Sequence, residues 1–174
     1  LDDEKKIVLM EELDQVSSGY DFLIFDTGAG ISTNVTYFCS AAHEIILVAT
    51  TEPTSLTDVY ALIKTLNIKH AQQYFRVIIN SVNSEAEAQL IFRNLAAVAD
   101  RFLPNISVEY LGYILSDSFV TKAVRQQKAF SELYPHSKVT QCINQLAQKM
   151  IDEQQSVSDE EQSTLFWRTA FTVQ

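Results

Sequence analysis

An α/β fold built on a doubly wound, mostly parallel sheet is expected from three observations. Four short apolar runs recur, at residues 20–25, 45–49, 75–79 and 108–115. They lack the regular polar alternation of a half-exposed strand, so each reads as a strand covered on both faces. The stretches between them are long enough for crossover helices and carry apolar residues at helical spacing. Strands alternating with helices make βαβ units and a parallel sheet. Composition agrees: 47% of the 174 residues are hydrophobic and 20% charged, enough for one sizeable core.

The elements follow in order. Residues 3–18 read as a helix, with Ile7, Leu9, Met10, Leu13 and Val16 at helical spacing and Ser17, Ser18 and Gly19 as its stop. The first strand, 20–25, comes next. A short helix is expected over 35–42, then the second strand over 45–49. Ser55 and Asp58 have capping-box spacing, so a helix should start there and reach residue 68. The third strand, 75–79, is followed by a second such pair, Ser84 and Glu87, opening a helix to Phe102. Pro104 and Asn105 break it. The fourth strand, 108–115, precedes helical segments over 118–127 and 137–153. Residues 1–153 are thus one domain, 154–161 an acidic tether, and 162–174 an amphipathic C-terminal helix. Phe166, Trp167, Ala170 and Phe171 share one face of that helix.

Charge narrows the function classes. Thirteen basic side chains against 22 acidic ones give a net charge of −9, so no nucleic-acid partner is expected. No apolar run approaches the roughly 20 residues of a bilayer span. No signal-peptide pattern opens the chain, and a cytoplasmic location is expected. Cys39 and Cys142 make at most one bridge and suit a reducing compartment. His43, His70 and His136 lack metal-ligand spacing.

Ligands in open α/β sheets bind beyond the carboxyl ends of the strands, so the residues after each strand matter most. Two of the four glycines fall in Asp26-Thr27-Gly28-Ala29-Gly30. An acid there either holds the water shell of Mg²⁺ beside a phosphate-binding loop or only caps a turn. Thr50-Thr51-Glu52-Pro53-Thr54-Ser55 either contributes hydroxyls to a site or simply starts a helix. Asn80 offers the donor and acceptor that match an adenine edge, or forms a turn. Leu115-Ser116-Asp117 lines a pocket or caps the next helix.

The ordered set is more specific than any member. It resembles the MinD/ParA group of P-loop ATPases. The run Tyr20-Asp21-Phe22-Leu23-Ile24-Phe25-Asp26-Thr27-Gly28-Ala29-Gly30-Ile31-Ser32 is similar to their Walker B strand and second switch loop. With Glu52-Pro53-Thr54-Ser55-Leu56-Thr57-Asp58 it is similar to the flagellar-number regulator branch, FlhG/FleN/YlxH. The resemblance covers residues 1–150 and is strongest over 20–64. It implies a SIMIBI-type P-loop NTPase fold lacking its first strands. It implies ATP or ADP with Mg²⁺ in the full-length protein, Asp26 in the metal shell through water, and Gly30 at the γ-phosphate as the second catalytic group. Gly28, Asn80, Leu115, Ser116 and Asp117 would bind the nucleotide. Implied partners are a second copy, the flagellar SRP-type GTPase, and a transcription activator or flagellar switch protein.

One departure is large. The family's Lys-bearing glycine loop is not here: no Gly is followed by Lys, and no Gly precedes position 19. The chain then reads as the C-terminal two-thirds of such an ATPase, inactive as it stands, with a gap between strands 20–25 and 45–49. Open strand edges would favour dimerisation. Two alternatives stay beside it: a P-loop-less pseudo-ATPase that binds a protein partner, and a chromosome- or plasmid-partitioning ATPase, which the charge disfavours. The family's C-terminal helix often touches membranes at the inner face. Here Arg168 is the only basic residue of the tail, after Asp159, Glu160 and Glu161, so packing on a protein competes with that reading.

Overall fold

The computed structural model describes residues 19–158 together with Val8, Leu9, Glu12 and Leu13. Those four are helical, in keeping with the helix expected over 3–18, whose other residues lie outside the described ones. The expected tail helix over 162–174 lies outside them too.

The elements run α1 (Thr33–Ala41), β1 (Ile46–Ala49), α2 (Pro53–His70), β2 (Tyr74–Val82), α3 (Glu85–Phe102), β3 (Ser107–Leu115), α4 (Ser118–Arg125), α5 (Phe130–Leu133) and α6 (Lys138–Ser158). The three strands form one parallel sheet in the order β1-β2-β3. The α/β parallel architecture expected from the sequence is therefore present. Helix α6 runs on to Ser158, covering the first five residues of the expected tether. The short α5 carried no clear sequence signal.

Alternation along β2 sorts the two faces. Phe75, Val77 and Ile79 are fully buried against α2 and α3, with Val59, Ile63, Leu66, Ala88 and Leu95. Arg76 lies between them and so points to the opposite face, where α6 packs. It is 7% exposed and donates from Nη2 to Glu153 Oε2 of α6 at 2.6 Å and from Nη1 to Glu44. One guanidinium thus ties the loop before β1, the centre of the sheet and the last helix together. Burial pushes its pKa down, but the two carboxylates outweigh that and hold it above the ordinary value.

One of the two capping-box expectations is corrected and the other holds. Helix α2 begins at Pro53 rather than Ser55, because proline suits the first helical turn. Ser55 Oγ instead accepts from Thr50 N at 3.0 Å and fastens the loop after β1. Ser84 does cap α3, accepting from Glu87 N at 3.2 Å, while Glu87 Oε2 reaches back to Asn83 N at 2.7 Å.

The larger correction concerns residues 20–25. They form no strand. Tyr20, Phe22, Leu23 and Ile24 are exposed, and Phe25 stacks on Phe38 of α1 with ring centroids 5.2 Å apart. A strand needs a neighbour for its backbone groups, and among the described residues no strand pairs with this run. In the sheet β1 is an edge, and its Val48 is 52% exposed.

Candidate functional site

Parallel pairing brings the carboxyl ends of all three strands to one rim. Ala49 of β1 is level with Ile79 of β2, so the loop from Thr50 starts beside Asn80. Asn80 pairs with Ile114 of β3. Ser116 N donates to Val82 O at 2.8 Å, which seals the loop after β3 against the end of β2. Three of the four loops singled out in the sequence therefore meet at this rim.

Asn80 is half-buried, and its carboxamide makes no hydrogen bond to another described residue. Its donor and acceptor are both available to a ligand. The next residue explains how it is set. Two β2 residues, Ser81 and Val82, follow Asn80 where β3 advances by one, from Ile114 to Leu115, so Ser81 is a bulge. Ser81 has φ 62, a left-handed conformation that serine adopts at a cost. A bulge re-aims the side chains around it, and strained bulges gather at working sites. Nothing in the sequence marks Ser81, because glycine or asparagine is the residue type that ordinarily signals this geometry.

The other rim residues have plain structural jobs as well. Asp117 Oδ1 accepts from Phe119 N at 2.9 Å and caps α4, as one of its two readings expected. Thr50 Oγ1 accepts from Glu52 N at 3.3 Å, tightening the loop after β1. Leu115 closes β3 half-buried, and Ser116 is exposed.

Asp26, Gly28 and Gly30 are placed differently. All three are exposed, on the irregular stretch before α1. Gly30 has φ 97, a region closed to most side chains, so the backbone alone requires glycine there. Ser32 then caps α1, accepting from Val35 N at 3.4 Å. Among the described residues no hydrogen bond or ion pair joins Asp26 to Asn80 or to residues 115–117. The structure thus gathers Asn80, Leu115, Ser116 and Asp117, and leaves Asp26, Gly28 and Gly30 on a separate loop.

Cys39 and Cys142 are both free, and burial pushes the Cys39 thiol up. Among the described residues no group of His, Cys, Asp or Glu is spaced to hold a metal ion, and no helix is long and apolar enough to cross a membrane.

No family model matches the chain. It is 42% identical over 142 residues to the antiactivator FleN of Pseudomonas aeruginosa, a match covering 82% of this chain and 50% of that protein. It is 32% identical over 149 residues to the flagellum site-determining protein YlxH of Helicobacter pylori, again over 82% of this chain and 50% of the other. The chain spans about half the length of the curated relatives it matches. Identity at this level across most of the chain, on a parallel α/β sheet with the expected rim, assigns it: the chain belongs to the FlhG/FleN/YlxH-like branch of the MinD/ParA proteins.

Proposed function

We propose that this chain supplies the base-binding rim and the C-terminal helices of a nucleotide-dependent switch that regulates flagellar number or placement. The observation that carries the reading is the 42% identity to a protein named as the antiactivator FleN. The name of the second relative, a flagellum site-determining protein, points the same way.

The rim suits an adenine. Asn80 presents an amide with no hydrogen-bond partner among the described residues, and the loop 115–117 lies beside it. The phosphates and Mg²⁺ need more than residues 1–174 provide, since no Gly-Lys loop is among them. Asp26 would hold a water of the metal shell, and the Gly30 backbone would face the terminal phosphate. Bound Mg-ATP supplies the phosphoryl group that passes to water. Asn80 orients the base, and the capped start of α4 fixes the pocket wall. By this reading the partners are a second copy, the flagellar SRP-type GTPase and a transcription activator or switch protein, met in the cytoplasm or at the inner membrane face.

Deletion of the gene tests the role directly. Flagella counted and mapped per cell by electron microscopy should change in number or position; a wild-type count and placement would overturn the reading. Phosphate release from Mg-ATP by the 174-residue chain should not exceed that of buffer, and steady turnover would overturn the division of labour between this chain and a separate lysine loop. The lack of a Gly-Lys pair also favours a second reading, a scaffold that binds partners without chemistry. Asp26→Ala separates the two in the cell: a switch loses regulation, and a scaffold keeps it.

A further inference from the structure

We propose that α4 and the turn after it form a docking surface for a short acidic segment of a partner protein. Residues 118–131 hold Lys122, Arg125 and Lys128 and no acid, while the other ten basic side chains of the molecule stand against 22 acidic ones. A local charge of +3 on so acidic a chain is a concentrated exception.

The three cations are exposed, and among the described residues none makes an ion pair. Lys122 Nζ lies 4.8 Å from the centroid of the Phe119 ring. Cations that merely solubilised this face would be expected near the acids that dominate the rest of the surface. On α4, Ala123 is buried, so Arg125 projects from the middle of the exposed arc with Lys122 on one side and Val124 on the other. Val124 is 67% exposed, an apolar contact beside the charges.

The surface is held in place. Asp117 caps α4, and Phe119 packs on Tyr134 with ring centroids 4.3 Å apart. Lys128 N donates to Ala123 O at 3.2 Å, and Gln127 N to Val124 O at 3.0 Å, which folds the turn back on the helix. The backbone that carries the cations then has little conformational freedom left to lose on binding.

Charge complementarity selects the occupant. An acidic peptide of a few turns meets all three cations and Val124 and avoids the negative remainder of the surface. A DNA duplex extends beyond the patch into that negative field, and three phosphate contacts give weak binding. A bilayer asks for a broader apolar face than one exposed valine. The proposal is separable from the nucleotide reading, because Lys122, Arg125, Lys128 and Val124 are not among the residues that would bind the nucleotide.

The test uses the 174-residue chain and a fluorescent peptide of about 12 residues, with Glu and Leu at helical spacing. Anisotropy should report binding that weakens as salt rises. Affinity should fall at least about tenfold in a variant carrying Lys122→Glu, Arg125→Glu and Lys128→Glu, with an unchanged circular dichroism spectrum. The corresponding glutamine variant repeats the test without charge reversal and should also lose affinity. Equal affinity of the wild type and the glutamine variant would overturn the proposal. So would no binding by the wild type, or tighter binding to a DNA duplex or to phosphatidylglycerol vesicles than to the peptide.

Discussion

The Tyr110 ring packs on Phe92 with centroids 5.2 Å apart, and its hydroxyl is buried with no hydrogen-bond partner among the described residues. An unmet buried hydroxyl costs free energy that a hydrogen atom would not. Tyr110→Phe should therefore stabilise the protein by about 1 kcal/mol, a rise in Tm of about 2–4 °C by thermal unfolding. Alkaline pH probes the same group. Burial, aided by the Glu85 carboxylate, pushes the Tyr110 pKa up to about 12. The hydrogen bond that Tyr74 donates to Glu109 pushes its pKa to about 12 as well. The unfolded phenols ionise near 10. Between pH 10 and 12 the folded chain holds more protons than the unfolded one, so stability is full below that window and falls through it. Urea midpoints across the window should drop, and drop less in Tyr74→Phe. These features were hidden in the sequence, since a tyrosine does not reveal whether its hydroxyl finds a partner. The places of Asn80 and Asp117 at the strand-end rim were legible, because each follows an apolar run that reads as a strand, and the capping of α4 by Asp117 was one of its two readings. Ser81 was not, because its strain arises from how β2 and β3 pair.

Helix α6 crosses β3 at Gly112, where a side chain would press on the end of Leu146. A Cβ on Gly112 would sit 2.6 Å from Leu146 Cδ2. The strand is irregular at the same point: Val77 pairs with Tyr110 and Ile78 with Gly112, so Leu111 is bulged out. Its carbonyl accepts from Lys149 Nζ of α6 at 3.2 Å. Gly112→Ala should destabilise by about 1–3 kcal/mol, since the end of the Leu146 side chain must turn aside to make room. Adding Leu146→Ala should cost less than the sum of the two single changes, and additive denaturation energies would count against the contact. Elements whose signals are local were readable in advance. Helix α3 begins at the Ser84 cap and ends at Phe102, as the spacing of its caps and breakers indicated. The run 20–25 has the composition of a strand but forms none, because strand identity depends on a neighbour that its own residues cannot specify.

That unmade strand shapes the behaviour of the molecule in solution. The sheet is paired on only one side of β1. Among the described residues no strand pairs with its other side, which lies beside an exposed Val48, and Tyr20, Phe22, Leu23 and Ile24 add exposed apolar surface. Open, apolar strand edges template pairing with another chain. Much of the chain is nevertheless well buried: Ile63, Leu66, Phe75, Val77 and Ile79 are fully enclosed between the sheet and α2 and α3. The core should therefore hold while the edge associates, two behaviours governed by different residues. At rising concentration the 174-residue chain should form dimers and larger species, seen as an increase in mass by light scattering. Val48→Lys puts a charge on the edge, where a second strand would have to desolvate it. Because Val48 is half in solvent already, the change should lower Tm by no more than about 2 °C while shifting the mass distribution toward monomer. A variant that still associates like the wild type would place the contact elsewhere, and the exposed run 22–24 would be the next surface to charge.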